Sequence, residues 1–258
     1  TRSEISRASA AVRKVALAGT QLFAITDHDS LGGYNEGKAE AARWGMQIIP
    51  GAEVTTNDYH ILGLGVRPED EDFNKFLHAS REKQAYRCEV RIDVMREAGI
   101  PITMEKLRKA FPKARLGRYN IFMAMLQDEE CRQYVAQHDA TINPGDLFNR
   151  YLGRGTIGGS IGPTPQLRND ETIQAIHAAG GIAILAHPAK DVKQMREIDD
   201  LVDMGLDGLE IQPNFEKDYP KYAAYAKDHG LIVTYGSDHH GENKRPLLGT
   251  RFKMEQRS

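Results

Sequence analysis

Asp238 and His240 stand two residues apart just after Leu231-Ile232-Val233-Thr234-Tyr235, a spacing at which a carboxylate and an imidazole can converge on one metal ion. The five residues before them favour a strand, so the polar cluster begins where a buried strand stops. Other strand-like segments end in the same way. His28 follows Leu22-Phe23-Ala24-Ile25-Thr26, Glu53 follows Gln47-Ile48-Ile49-Pro50, and His187 follows Ile182-Ala183-Ile184-Leu185-Ala186. His60 lies near the start of a further strand, Tyr59 to Val66. Imidazole and carboxylate without thiolate suit Mn2+, Fe2+ or Zn2+. A carboxylate such as Glu53 can bridge two ions, and metals ~3.5–4 Å apart bind phosphate oxygens and convert a bridging water to hydroxide at neutral pH. Carbonyl hydrolysis would use similar ligands, so these residues alone do not select the substrate.

The elements that would position them alternate. Gly19, Gly45, Gly180, Gly205 and Gly230 each separate a helical pattern from an apolar strand. This repetition predicts an α/β fold of parallel strands with helices outside, and parallel strands bring their C-terminal ends to one rim, where α/β barrels carry their active sites. From Arg67 the pattern changes. Helices are predicted over 73–98, 104–111, 120–127, 130–137 and 144–152, with no strand between Pro68 and about Arg168. Gly153 to Pro165, rich in Gly and Pro, reads as a loop. The alternation then resumes with helices over 170–179, 192–204 and 218–229. Residues 1–67 and 169–258 therefore form the strand-bearing part and 68–168 a helical insertion.

Composition limits the function classes. With 258 residues the chain can bury a sizeable core, and a net charge of −2 gives no global attraction to nucleic acid or anionic membranes. No apolar run approaches the ~20 residues of a membrane span. The opening stretch, Thr1 to Gly19, is polar and charged, unlike a secretory leader. Cys88 and Cys131 are isolated thiols on helical segments, which make neither a disulfide framework nor a zinc cluster. A cytoplasmic protein is expected, with neither a membrane nor a stable nucleic-acid partner.

In order, Thr26-Asp27-His28-Asp29, Gly51-Ala52-Glu53, Tyr59-His60-Ile61-Leu62-Gly63, Leu185-Ala186-His187-Pro188 and Gly236-Ser237-Asp238-His239-His240-Gly241 resemble the successive motifs of the polymerase and histidinol phosphatase family of metal-dependent phosphoesterases. The chain is most similar to the branch of stand-alone nucleoside 3′,5′-bisphosphate phosphatases. Gly117-Arg118-Tyr119-Asn120 and Tyr151-Leu152-Gly153-Arg154-Gly155 match segments of that branch's helical insert. The resemblance implies a distorted (β/α)7 TIM-like barrel with two or three divalent metal ions. His28 and His240 would share one metal. Glu53 would bridge the other two, with His60 and His187 completing one and Asp238 the other. The implied reaction is hydrolysis of a phosphate ester by metal-activated hydroxide, with Asp238, His240 and His28 at the catalytic centre. The substrate would be small, a nucleotide such as AMP, a nucleoside bisphosphate or a cyclic phosphate.

The sequence departs from that pattern in three places. The family has a strand ending His-x-His, and no such motif occurs upstream of His28, so the metal assigned to Asp238 lacks two of its ligands among these residues. The turn between Thr56 and Tyr59 is short for the family's hairpin. Asn120 stands where relatives usually have His, and Tyr119 where they have Pro. Two alternatives stay open: a non-catalytic phosphate- or nucleotide-binding protein, and a histidinol-phosphatase-type enzyme.

Around the ligands, Asp27 reads as a residue that orients a ligand histidine, and Asp29 as a cap for the next helix. His239 reads as facing the substrate or solvent, not as a ligand. Arg118 and Arg154, beside glycines in loops, suit the bidentate binding of phosphate oxygens, with Asn120 as a further substrate contact. His78, His138, His177 and His229 fall on helices and read as surface or packing residues. Gly153-Arg154-Gly155-Thr156-Ile157-Gly158 has the G-x-G-x-x-G form, but no strand precedes it, which speaks against a dinucleotide site.

Overall fold

The computed structural model describes residues 7–112, 114–139, 144–212 and 219–239. The chain divides into two compact units, one of Thr1–His78 with Leu167–Ser258 and one of Ala79–Gln166.

In the first unit, α1 (Arg7–Leu17) and α2 (Gly32–Arg43) accompany a parallel pair, β1 (Leu22–Ala24) and β2 (Gln47–Ile49). Val12, Val15, Ala41 and Met46 form a small core there, packed with Phe23, Ile25 and Ile48. Pro50 ends β2, since it has no N–H to continue a ladder. The chain re-enters a sheet at once as β3 (Gly51–Thr55), then β4 (His60–Leu64). Glu53 thus lies inside a second strand, not in the polar end of the first one as the sequence suggested.

β3 and β4 begin a five-stranded sheet of order β3-β4-β5-β6-β7, completed by β5 (Ile182–Leu185), β6 (Gly208–Ile211) and β7 (Ile232–Tyr235). The β5-β6-β7 ladders are parallel, as predicted, but β4 is antiparallel to both of its neighbours. The connection explains this. Residues 56–59 form a tight turn, with Thr56 N donating to Tyr59 O at 3.0 Å, and a parallel crossover needs a dozen or more residues. Because Thr55 pairs with His60, the start of β4 lies beside the end of β3. Among the described residues the strands form these two sheets, with β3 and β7 at the edges of the larger one.

The main core lies on this sheet: Val54, Ile61, Leu185 and Leu209 meet Ile173 and Ile176 of α8 (Asn169–Ala178), Leu201 of α10 (Arg196–Asp203) and Tyr222 of α11 (Tyr219–Asp228). Gly63 lets α8 approach closely; a Cβ there would lie 3.0 Å from Ile176. Gly180 and Gly205, with φ of 81° and 101°, turn α8 and α10 into the strands that follow, a backbone state open to glycine at no steric cost. The helix predicted over 192–204 starts later, as α10 at Arg196, and a short helix absent from that prediction precedes it. Pro188, favourable at a first helical position, opens the short α9 (Pro188–Asp191), and α10 follows after a break.

The second unit has no strand among its described residues. It holds the larger part of α3 (Glu71–Glu97), which begins in the first unit, with α4 (Met104–Ala110), α5 (Arg118–Gln127), α6 (Glu129–Asp139) and α7 (Pro144–Leu152). Its own core contains Ile92, Met95, Ile102, Leu107, Ile121, Met125 and Leu152. Cys88 and Cys131 are free thiols buried in it. Among the described residues no helix is long and apolar enough to cross a membrane.

Candidate metal centre

Glu53 is the hub. In β3 its neighbours Ala52 and Val54 are fully buried and its own residue is only 7% exposed. The ladder to β4 and the segment Asp27-His28-Asp29 fix the backbone around it: Glu53 N donates to Asp27 O at 3.1 Å, and Asp29 N donates to Glu53 O at 2.9 Å. His28 pairs with Glu53 in an isolated bridge, which holds that loop along the strand. Three imidazoles surround the carboxylate. His60 Nδ1 lies 2.6 Å and His187 Nε2 3.1 Å from Oε1, and His28 Nδ1 lies 3.6 Å from Oε2. His60 Nδ1 and His187 Nε2 are 3.1 Å apart. Ligand atoms of His28, Glu53 and His60 all fall within 4.8 Å of one another, a spacing at which one ion can bind all three. His60 reaches this point because β4 is antiparallel; a parallel strand would put its first residue at the opposite edge.

Burial alone would raise the Glu53 carboxyl, but the imidazoles of His187, His28 and His60 outweigh it and hold it well below the ordinary carboxylate range. His187 is 2% exposed and shows the converse. Burial disfavours its charged form, yet Asp191 and Glu53 prevail and push it up to about 10. Asp191 Oδ2 lies 2.8 Å from His187 Nδ1. The two residues are one helical turn apart because α9 starts at Pro188. With Nδ1 facing Asp191, Nε2 is left facing Glu53, the way a carboxylate fixes a ligand histidine in metal sites.

Asp191 was missed in the sequence, although its four-residue spacing from His187 was available. Glu210 was missed too. It is the one acid in an otherwise apolar strand, Gly208-Leu209-Glu210-Ile211. Its Oε2 accepts the His187 backbone N–H at 3.2 Å, and that backbone is left-handed, with φ 34°. Its other oxygen fills the space over Gly236, where a Cβ would overlap the carboxyl. Burial, with help from the Glu53 charge, pushes Glu210 up to about 7. Asp238 follows β7 in a left-handed backbone with φ 49°, and Lys190 Nζ lies 3.5 Å from its Oδ2.

No protein-family model matches the chain. Over 243 residues, 89% of this chain and 82% of the other, it is 29% identical to a 5′-3′ exoribonuclease of Haemophilus influenzae. Over 248 residues, 92% and 83% of the two chains, it is 28% identical to a 3′,5′-nucleoside bisphosphate phosphatase of Chromobacterium violaceum. Among solved structures, an amidohydrolase from Chromobacterium violaceum with bound sulfate and no metal matches with a TM-score of 0.75 at 26% identity, over 92% of this chain and 83% of that one. The chain is a relative of bacterial phosphoesterases. This agrees with the resemblance carried by its motifs.

The other candidate residues fall in several places. Asp29 does not cap α2. Its residue is fully buried and its Oδ1 accepts Thr55 N–H at 3.0 Å, while Leu31 occupies the N-cap and Ser30 Oγ accepts Gly32 N–H. Its left-handed φ of 52° turns the chain back to β3 before the helix can begin. Asp27 lies against α2, where a Cβ on Gly33 would come 2.6 Å from its Oδ2. His239 is half-buried after β7. His240 lies outside the described residues. Arg118, Asn120 and Arg154 belong to the second unit: Arg118 and Asn120 open α5, and Arg154 is exposed just after α7.

Proposed function

We propose that the protein is a divalent-metal-dependent phosphoesterase that hydrolyses a phosphate ester of a nucleotide, a nucleoside bisphosphate above all. The observation that carries this reading is the convergence of His28, Glu53, His60 and His187 on one point of the first unit, with Glu53 held ionised. The donor set of imidazole and carboxylate fits Mn2+, Fe2+ or Zn2+. An ion bound there supplies Lewis acidity toward a phosphoryl oxygen and lowers the pKa of a bound water toward neutrality. Glu53 would hold the ions together with His28, His60, His187, Asp238 and His240, a set sufficient for two or three of them. Asp191 keeps His187 in the orientation that offers Nε2. Arg118 and Arg154 take non-reacting phosphate oxygens, with Asn120 and His239 as further substrate contacts. Residues 1–67 and 169–258 form a metal-binding barrel of the distorted (β/α)7 type, and 68–168 its helical insertion. Two buried free thiols suit a reducing compartment, so we place the protein in the cytoplasm.

The relatives act on different nucleotide chemistries, an RNA in one and a nucleoside bisphosphate in the other, so the test compares both. The full chain is loaded with Mn2+, then given a nucleoside 3′,5′-bisphosphate, a cyclic phosphate or a 5′-phosphorylated RNA. Phosphate or nucleotide release should be fastest from the bisphosphate, stop with a chelator and be lost in Asp238→Ala. A metal-loaded protein that turns over none of the three would sink the reading.

A further inference from the structure

Tyr59 stands immediately before His60, and its phenol is bonded far away along the chain. Its Oη donates to Glu197 Oε2 at 2.7 Å, across 138 residues of sequence. Glu197, in the first turn of α10, has two further donors: its Oε1 accepts Gln194 N–H at 3.1 Å and its Oε2 accepts Lys193 N–H at 3.3 Å. Backbone donors outside regular structure need such acceptors. One carboxylate thus gathers the break between α9 and α10 and the 56–59 turn. Tyr59 is half-buried and packs against the main core, so its ring is held as well as its hydroxyl.

The two ends of this bond lead to two arms of the metal centre. On the Tyr59 side the turn is closed by Thr56, whose Oγ1 accepts Tyr59 N–H at 3.0 Å and donates to Tyr59 O at 2.7 Å. His60 follows, and its carbonyl accepts Ala186 N–H at 3.0 Å. On the Glu197 side the break 192–195 follows Asp191 directly, and Asp191 is the residue that holds His187 Nδ1. Ladder hydrogen bonds fix β4 and β5, but the turn and the break lie outside both strands, and a side-chain bond relates them. The relation has to be accurate. His60 Nδ1 and His187 Nε2 are 3.1 Å apart, and two nitrogens each ~2.0–2.1 Å from one tetrahedral ion stand roughly 3.3 Å apart. A shift of about 0.5 Å in either arm is enough to spoil such a site.

We propose that Tyr59 and Glu197 form a strut that positions His60 relative to the His187–Asp191 arm and so sets the affinity of the centre for a divalent ion. Both are positioning residues, acting through the ligands and not on an ion or substrate. This role rests on the metal centre proposed above. A comparable bond on the same helix serves as an internal reference. Tyr225 Oη of α11 donates to Asp199 Oδ1, two residues beyond Glu197 in α10. Residues two apart on a helix do not face the same way, so this second pair ties α10 to α11 and leads to no ligand. Each phenol makes one hydrogen bond to a carboxylate; what differs is where the bond leads.

The test is calorimetric titration of the full chain with Mn2+, at a temperature where circular dichroism shows every variant folded, so that lost stability cannot pass for lost affinity. Tyr59→Phe should bind Mn2+ roughly tenfold more weakly than wild type, the low end of what partners behind metal ligands are worth. Tyr225→Phe, which removes the same kind of bond, should bind as wild type does. Glu197→Ala should match Tyr59→Phe, and Glu197→Gln, which still offers the phenol an oxygen, should recover part of the loss. The double variant Tyr59→Phe/Glu197→Ala should lose no more than Glu197→Ala alone, since one bond can be lost only once. Should Tyr59→Phe not fold, the comparison of Glu197→Gln with Glu197→Ala decides. Unchanged affinity in Tyr59→Phe, an equal loss in Tyr225→Phe, or losses that add in the double variant would overturn the strut while leaving the metal centre standing. Wild type that binds no Mn2+ would overturn the metal centre itself, and the strut with it.

Discussion

His187 carries a carboxylate on each ring nitrogen, Glu53 on Nε2 and Asp191 on Nδ1. In the metal-free protein this makes the imidazole a strong base, raised to about 10, while Glu53 stays ionised far below its ordinary range. The signs then follow. A raised imidazole contributes stability that is complete below its unfolded value of about 6.5 and is lost as pH climbs through the folded value. A depressed carboxyl contributes stability above about 4.3, lost as pH falls. Metal-free protein should thus be most stable between about pH 4.5 and 6.5 and soften steadily toward pH 10. A divalent ion competes with the proton on Nε2, so metal binding should release protons and flatten the alkaline decline. Melting temperature against pH, with and without Mn2+, checks this, and His187→Ala isolates the group. A metal-free melting temperature that stays level from pH 6.5 to 9 would exclude the charged pair. The four residues of this cluster were legible because each follows or opens a strand-like run in the sequence, although Glu53 lies inside β3. Asp191 was not, because its partnership depends on a helix that starts at Pro188, and that start was placed at Val192.

At the scale of elements, the pattern of the sequence conveyed alternation better than direction. Periodicity identifies a strand but carries no sign, so the alternation by itself left the direction of β4 open, and the resemblance alone, with its hairpin before Tyr59, implied a reversal. Only the tightness of the 56–59 turn reverses it, and the same tightness had looked like a departure from the family. Glu210 was hidden for a related reason: a lone acid in a four-residue strand can face water or the site, and strand pairing decides which. Its carboxyl lies over Gly236 on β7's end and holds the left-handed backbone of His187. Gly236→Ala should force it away, destabilising the fold by about 1–3 kcal/mol as overpacking does. It should also weaken Mn2+ binding, because His187 loses its backbone acceptor. Glu210→Ala should restore part of the stability in the Gly236→Ala background while leaving metal affinity low. Urea melts and Mn2+ titrations of the two single variants and the pair test it. Full metal affinity in Gly236→Ala would mean that Glu210 does not position His187.

Across the whole molecule there are two cores, one in each compact unit. The strand-bearing unit holds the His and Glu cluster, and the helical unit has a separate core and its own arginines. Composition could not reveal this division, since a net charge of −2 averages an acidic neighbourhood in one unit against a basic one in the other. Nor could the boundary be read closely. Helical pattern begins after Arg67, but the compact units divide between His78 and Ala79, inside the continuous α3, where no Gly or Pro marks it. The division has a measurable consequence. A ligand that binds only the folded state stabilises it by RT ln(1 + [L]/Kd), about 2.7 kcal/mol at a hundredfold excess over Kd. That gain falls on the unit that binds. Saturating Mn2+ should slow amide exchange in β3, β4 and β5 by up to about a hundredfold, and change α4 to α7 much less. Exchange followed by mass spectrometry on the full chain reads both. Equal protection of both units by Mn2+ would mean that the stabilisation is not confined to the unit with the His and Glu cluster.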